Sequence, residues 1–262
     1  MTYKAIDFEL KDGVGAISLN RADAANALDF TMAQELMQVA IRCSEDPAVR
    51  TVTITGSGRF FCAGGDLKSF AAQGESIPAH VKEVTSYLHA GISRLTRMNA
   101  PVIASVNGVA AGAGMSIACA CDFVIAAESA RFTMAYTGAG LTPDGSSTYF
   151  LPRIVGLKRA IDLALTNRML SAAEAAEWGL VTRVVPDADL ATETSAMASE
   201  LASGPTVSFG RTKRLFHSGF SETLETQMEH EAQAIAKAAQ SDDGREGIAA
   251  FLEKRATEFK GR

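Results

Sequence analysis

The spacing of apolar positions changes period along the chain, and each change predicts an element. Ile6, Phe8 and Leu10 alternate with polar residues, and Ala16 to Leu19 is again apolar after Gly13-Val14-Gly15. This segment predicts a β-hairpin turning at 13–15. Arg21 to Leu28 reads as a loop. Met32, Leu36, Val39 and Ala40 then recur at helical spacing behind Asp29 or Thr31, either of which can cap a helix. The β-branched run Val49 to Thr55 predicts a buried strand, closed by Gly56-Ser57-Gly58. A glycine-rich turn from Phe60 to Leu67 runs into further helix, and Val81 to Met98 is amphipathic. Pro101 opens a strand from Val102 to Val106 that breaks at Asn107-Gly108. Gly112 to Cys121 is dense in small residues and predicts a helix packed backbone to backbone. Strands at Phe123–Ala126, Arg131–Met134 and Val181–Val185, with helices at Gly156–Thr166 and Ser171–Trp178, complete the mixed region. From Asp189 the pattern is helical, with a long segment from Glu222 to Gln240 and a last helix from Asp243 to Phe259. The chain therefore reads as an α/β core over 1–195 followed by a helical region over 196–262.

Composition narrows the partners. The 262 residues are 47% hydrophobic and 21% charged, enough for a large buried core. A net charge of −5 gives no broad basic surface, which argues against nucleic acid as the main partner. The longest small-apolar stretch, Val102 to Ala120, is broken by Asn107, Gly108, Gly112 and Gly114, so no membrane span is expected. The N-terminal residues lack the features of a signal or transit peptide. The four cysteines are too few and too irregular for a disulfide framework, and the expected location is the cytoplasm. Cys119-Ala120-Cys121 has no histidine or second pair nearby, so no metal is expected there. His80, His89, His217 and His230 fall in polar helical contexts and read as surface side chains.

Two glycine-rich turns carry the candidate chemistry. Cys62-Ala63-Gly64-Gly65-Asp66 and Asn107 to Gly114 each lie between a strand and a helix. Such junctions expose backbone N–H groups at the positive end of a helix dipole. Two of them aimed at one point would form an oxyanion hole, or the glycines could simply serve tight packing. No G-x-x-x-x-G-K-[ST] occurs, and Gly56-x-Gly58 lacks the third glycine and the acidic partner of a dinucleotide fingerprint.

The residues of these turns resemble the two oxyanion loops of the crotonase (enoyl-CoA hydratase/isomerase) superfamily: Phe61 to Leu67 the first, Val106 to Gly114 the second. Asn20-Arg21 with Asn26-Ala27-Leu28, Leu151-Pro152-Arg153 with Gly156, Ser171 to Ala175 before Gly179-Leu180-Val181, and Phe251 to Arg255 also match, in order along the whole chain. The resemblance implies a spiral of β-β-α turns, a helical C-terminal region between subunits, and a homotrimer or dimer of trimers. It implies an acyl-CoA thioester as substrate, with no separate cofactor because CoA is part of that substrate. The N–H groups of Ala63 and Ala113 would grip the thioester oxygen, Ala113 standing where glycine is usual. Arg21, Ala24 and Ala25, with Ala63, Asp66 and Leu67, would line the path of the adenine and pantetheine. Asp23-Ala24-Ala25 stands where a lysine is often found. Phe251 and Lys254 would reach the CoA of a neighbouring subunit, although Lys254 also fits a solvated helix face.

The resemblance also bears on the reaction. Hydratases of this family use two glutamates, and those positions here are Ser116 and Tyr136, which suit a substrate pocket but not water activation. Asp144, in Pro143-Asp144-Gly145-Ser146-Ser147, matches the lone acid/base of members that shift double bonds. The alternative for Asp144 is a helix cap that binds the N–H groups near Ser146 and Ser147. The pattern is most similar to Δ3,Δ2-enoyl-CoA isomerases and ring-1,2-epoxyphenylacetyl-CoA isomerases, enzymes of fatty acid and phenylacetate breakdown. The expected activity is isomerisation through an enolate. The alternatives are hydration through Asp144 alone, or acyl-CoA binding without catalysis.

Overall fold

The computed structural model describes residues 3–262. Strands β1 (Ile6–Lys11) and β2 (Val14–Leu19) form the expected hairpin, pairing Ile6 with Leu19 and Lys11 with Val14. Its turn lies one step earlier than the apolar pattern predicts. Asp12 (φ 49°) and Gly13 (φ 81°) both take the left-handed conformation of a two-residue turn, so Val14 and Gly15 already belong to β2.

The chain then winds as a spiral. After β2 come α1 (Phe30–Glu45), β3 (Thr51–Gly56), α2 (Leu67–Ala71), α3 (Ile77–Arg97) and β4 (Val102–Val106). Next follow β5 (Val109–Ala111), α4 (Ala113–Ala120), β6 (Phe123–Ala127), β7 (Arg131–Thr133), α5 (Ser147–Val155) and α6 (Leu157–Thr166). The mixed region ends with β8 (Leu170–Ser171), α7 (Ala172–Glu177) and β9 (Arg183–Val185). One sheet has the order β1-β2-β3-β4-β6-β9, parallel except for its first pair. A second, β5-β7-β8, is extended by bridges from Cys62 to Ala110 and from Leu28 to Gly65. Each turn of the spiral thus contributes one strand to the main sheet, a short extended piece to the second face, and helix.

Local chemistry explains the helices that hold this spiral. Asp29 caps α1 by accepting the Met32 N–H at 2.9 Å, and Met32, Leu36, Val39 and Cys43 pass into the core against α3. Ser171 and Glu174 form a reciprocal capping box at α7. Helix α5, between Gly145-Ser146 and Gly156, was hidden from the pattern by its flanking breakers and by Pro152 within it.

Two expected boundaries move. Residue 195 falls inside α8 (Leu190–Ala202), which packs on β2, β3, β4 and β6 and links to β4 through Ser105 Oγ and Thr194 Oγ1, 2.9 Å apart. The core therefore includes α8, and the helical appendage begins with α9 (Thr206–Ser218), α10 (Leu224–Ala239) and α11 (Asp242–Glu253). Helix α11 stops at Glu253 rather than near Phe259, because Lys254 takes a left-handed φ of 55° and the tail folds back. Asp243, at the start of α11, accepts the N–H groups of Lys260 (2.6 Å) and Gly261 (2.7 Å). The appendage leaves Phe216, Phe220, Leu224, Ile235, Phe251 and Leu252 mostly exposed. Among the described residues no helix is long and apolar enough to cross a membrane.

Candidate active site

The two glycine-rich turns meet at the C-terminal ends of the two central strands of the main sheet. They follow the parallel neighbours β3 and β4, so both leave the sheet in the same direction. Short pairing holds them: the Cys62 N–H donates to the Val109 carbonyl (3.1 Å) and the Ala111 N–H to the Cys62 carbonyl (2.9 Å). The backbones also approach closely at two left-handed glycines, Gly64 (φ 105°) and Gly112 (φ 51°). A β-carbon at Gly64 would lie 3.2 Å from the Ala111 carbonyl oxygen, and one at Gly112 would lie 3.3 Å from Gly64 Cα.

The N–H groups of these turns divide into used and open ones. Ala63, expected as a donor to substrate, gives its N–H to the Ala25 carbonyl at 3.1 Å. Asp66 gives its own to Leu28 at 2.9 Å, and Gly112 gives its own to Thr133 at 3.1 Å. Between Ala63 and Asp66, the Gly64 and Gly65 N–H groups have no hydrogen-bond partner among the described residues. The Ala113 N–H, the first of helix α4, has none either. The open donors thus include Gly65 in the first turn and Ala113 in the second. Ala63, expected as a donor to substrate, is not open because its strand-like pairing with the Ala25 loop consumes its N–H. The left-handed turn at Gly64 then re-aims the next N–H, a consequence that the glycine pair in the sequence could have signalled.

Asp144 reaches this place from the loop before α5. Left-handed Gly145 (φ 60°) and Ser146 (φ 71°) bend that loop onto α4, where a β-carbon on Gly145 would meet Ser116 Cβ at 2.9 Å. Ser116, fully buried one helical turn after Gly112, is small enough to allow this approach. Its Oγ lies 3.0 Å from the Asp144 carbonyl oxygen and 2.9 Å from Tyr136 Oη. Tyr136 Oη donates to Asp144 Oδ1 at 2.7 Å. The same tyrosine abuts the second turn, its Cζ 3.8 Å from where a β-carbon on Gly112 would lie. Burial, and then the charge of Asp144, push the Tyr136 phenol far above its ordinary pKa of 10, so it stays protonated and serves as a donor.

The carboxylate of Asp144 is not a helix cap. The cap of α5 is Ser146, without a side-chain bond, and the Ser147 N–H is taken by the Asp144 main-chain carbonyl at 3.2 Å. The side chain is left free for its second neighbour, His89 of α3. His89 Nε2 lies 3.7 Å from Asp144 Oδ2 and accepts the Gly145 N–H at 3.2 Å. His89 was read from the sequence as a surface residue. Its side chain is indeed 52% exposed, but one edge belongs to the site. Helical periodicity gave no sign of this, since the partner lies 55 residues further along the chain (144 − 89).

The expected CoA-lining residues are placed unevenly. Arg21 is a brace: its guanidinium donates to the Ala27 carbonyl and pairs with Asp66 (2.9 Å) and Asp29 (3.3 Å). Asp66 also caps α2 through the Ser69 N–H at 3.1 Å. Burial alone would raise the Asp66 carboxyl, but the Ser69 N–H and Arg21 outweigh it and hold it below its ordinary 3.8. Arg21 and Asp66 thus neutralise each other and fix the loop. Buried Asn26 completes the brace, accepting the Arg21 N–H (2.9 Å) and donating to the carbonyls of Ser57 (2.9 Å) and Phe60 (2.8 Å). Ala24 and Ala25 are half-buried beside Ala63, and Leu67 is exposed at the start of α2. Phe251 (84% exposed) and Lys254 stand on the appendage. The thiols of Cys62 and Cys119 are pushed up by burial to about 11 and about 12, which leaves them unreactive.

Comparison with known proteins is consistent across the chain. A family model described as enoyl-CoA hydratase/isomerase matches residues 9–262. A protein of Rhodobacter capsulatus named a probable enoyl-CoA hydratase is 42% identical over 262 residues, the whole of both chains. The 1,2-epoxyphenylacetyl-CoA isomerase of Escherichia coli is 39% identical over 255 residues, 97% of each chain. Among solved structures, an enoyl-CoA hydratase from Polaromonas superposes with a TM-score of 0.93 at 33% identity, over 98% of this chain and all of the other.

Proposed function

This chain belongs to the enoyl-CoA hydratase/isomerase (crotonase) family, a family of CoA-thioester enzymes with the mixed α/β fold described above, and we propose that its own reaction is isomerisation next to the thioester, with Asp144 as the lone acid/base. The observation that carries this reading is the replacement of a carboxylate pair by Ser116 and Tyr136, together with Asp144 Oδ1 held by Tyr136 at 2.7 Å. Hydration of a double bond needs a base for the water and an acid for C2. Moving a double bond needs one group that takes a proton and returns it.

The geometry supports the following steps. The thioester oxygen accepts from the Gly65 and Ala113 N–H groups, with the α4 dipole behind the latter. Asp144 removes a proton from C2 of a 3-enoyl thioester, the C–H electron pair passes into the enolate, and the negative charge settles on the oxygen in the hole. The protonated carboxyl then delivers a proton to C4, giving the conjugated 2-enoyl thioester. Opening of an epoxide conjugated to the thioester draws on the same enolate-stabilising hole. Two such N–H donors are worth about 3–4 kcal/mol each in the transition state.

The exposed apolar side chains of the appendage support assembly with further copies of the chain, as a trimer or a dimer of trimers. In that assembly Phe251 and Lys254 would reach a neighbour's CoA. Sedimentation of the chain with and without Phe251→Asp checks this.

A second reading, hydration, is favoured by one observation: His89 offers a second proton-handling group beside Asp144. The test supplies 3-enoyl-CoA, 2-enoyl-CoA and an epoxide of phenylacetyl-CoA separately to the wild-type protein and identifies products by mass. Formation of 2-enoyl-CoA or the rearranged ring product supports isomerisation. Formation of 3-hydroxyacyl-CoA alone, with oxygen from labelled water, replaces it with hydration.

A further inference from the structure

Asp144 has two carboxylate oxygens in different surroundings. Oδ1 is held from inside by Tyr136, whereas Oδ2 faces His89 at 3.7 Å. The imidazole bridges two regions. One edge, Nε2, looks into the site and accepts the Gly145 N–H, which places the ring proton on Nδ1. The rest of the ring lines a cavity of about 640 Å³ between α3, α5 and α9. Ser93, Ser146, Ser218 and Ser221 also line that cavity, whose hydroxyls suit ordered water. A lone carboxyl enclosed against substrate would return to C4 the same proton it took from C2.

We propose that His89 is a proton relay joining the Asp144 carboxyl to the solvent of this cavity, so that the proton taken from C2 is exchanged before one is returned. The proposal rests on Asp144 acting as the base, but not on a double bond being moved. In the relay, Nε2 releases the Gly145 N–H and takes the proton from Asp144 Oδ2, while Nδ1–H gives its proton to a cavity water. Reversal restores the carboxyl, so no proton is gained or lost over the cycle. His89 does not touch the reacting carbons, and its role is that of a positioning and relay residue.

The test follows exchange at C2 of a saturated thioester, butyryl-CoA, in deuterated water by mass spectrometry. This substrate can form the enolate but has no double bond to move. Wild type is expected to exchange C2 hydrogen and Asp144→Asn to lose that exchange. His89→Gln, which keeps an acceptor for the Gly145 N–H but cannot carry a proton, should exchange roughly 10²-fold more slowly, the lower end of the contribution of a positioned acid–base group. Free imidazole should restore exchange to His89→Ala, a rescue that a merely structural role would not give. Unchanged exchange in His89→Gln, absent exchange in wild type, or absent rescue in a folded His89→Ala each overturns the relay. Turnover of 3-enoyl-CoA, run alongside, separates the two ideas. Exchange on butyryl-CoA without turnover would remove the isomerase reading and leave the relay standing, while turnover with full retention of the C2 hydrogen would do the reverse.

Discussion

Replacing Ala113 by proline tests the oxyanion donors in a way that few side-chain changes can. Ala113 is the first residue of α4, after Gly112 as the cap, and its N–H makes no hydrogen bond within the helix. Proline is favoured at this position, where its missing N–H would be unpaired anyway and its fixed φ suits the first turn. The preceding residue, Gly112, has φ 51° and ψ −121°, outside the helical region that proline forbids to its predecessor. The substitution therefore removes one donor while leaving the helix able to form, and the stability change should stay within about 1 kcal/mol, or about 2–4 °C in Tm. Loss of one oxyanion donor costs about 3–4 kcal/mol of transition-state stabilisation, which is about 10²–10³ in kcat. The assay is the absorbance of the conjugated 2-enoyl thioester formed from 3-enoyl-CoA, with kcat and KM separated and the fold checked by circular dichroism. The loss is predicted to fall on kcat. A folded Ala113→Pro with kcat within about threefold of wild type refutes it, because a donor that matters only in the transition state has then not been removed.

Three further outcomes follow from the same geometry. Gly114→Ala would drive a β-carbon to 2.3 Å from the Cys62 carbonyl oxygen and separate the two turns; it should lower stability by about 1–3 kcal/mol and activity with it, and an unchanged denaturation midpoint would show that the turns can part freely. Tyr136→Phe removes the hydrogen bond to Asp144, worth about 1.5–3 kcal/mol for a charged acceptor; kcat should fall by about tenfold with little change in KM, and an unaltered kcat would mean that the phenol does not hold the base. The Asp66 carboxyl titrates below its ordinary 3.8, so its contribution to stability is complete above that pH and is lost as the pH falls through the lowered folded value. The gap in urea midpoint between wild type and Asp66→Asn should accordingly shrink on acidification below about pH 4, and a gap independent of pH would contradict the brace.

Much of the spiral was legible because the period of burial is local information. The hairpin, the helix behind Asp29, and the strands at 51–56 and 102–106 each bury one face or both, and a window of a few residues records that. What escaped depends on contacts across the chain. Strand β8 is only Leu170–Ser171, a pairing made by its partner β7 rather than by its own pattern. The end of α11 is set by the tail that Asp243 ties down, not by any breaker before Lys254. In the site, residue types pointed to the two turns that the fold brings together, but not to which N–H in each was already spent. Ala63 and Gly65 differ only in that the Ala25 carbonyl stands opposite one of them. Arg21, expected to line the path of the adenine and pantetheine, is neutralised by Asp29 and Asp66, one of them 45 residues away (66 − 21). His89 was hidden for the same reason, its meaning arising from a loop that folds onto α3 from elsewhere.

The role of Asp144 as the base is tested most directly by comparing turnover of 3-enoyl-CoA by wild type and Asp144→Asn, with acyl-CoA binding to both measured by calorimetry. Asparagine keeps the shape and an acceptor for the Tyr136 hydroxyl, but it cannot take a proton at neutral pH. The prediction is a loss of about 10²–10⁴ in kcat, with the acyl-CoA dissociation constant within a few fold of wild type. Full turnover by Asp144→Asn would contradict the assignment of the base and, with it, the mechanism built on this site.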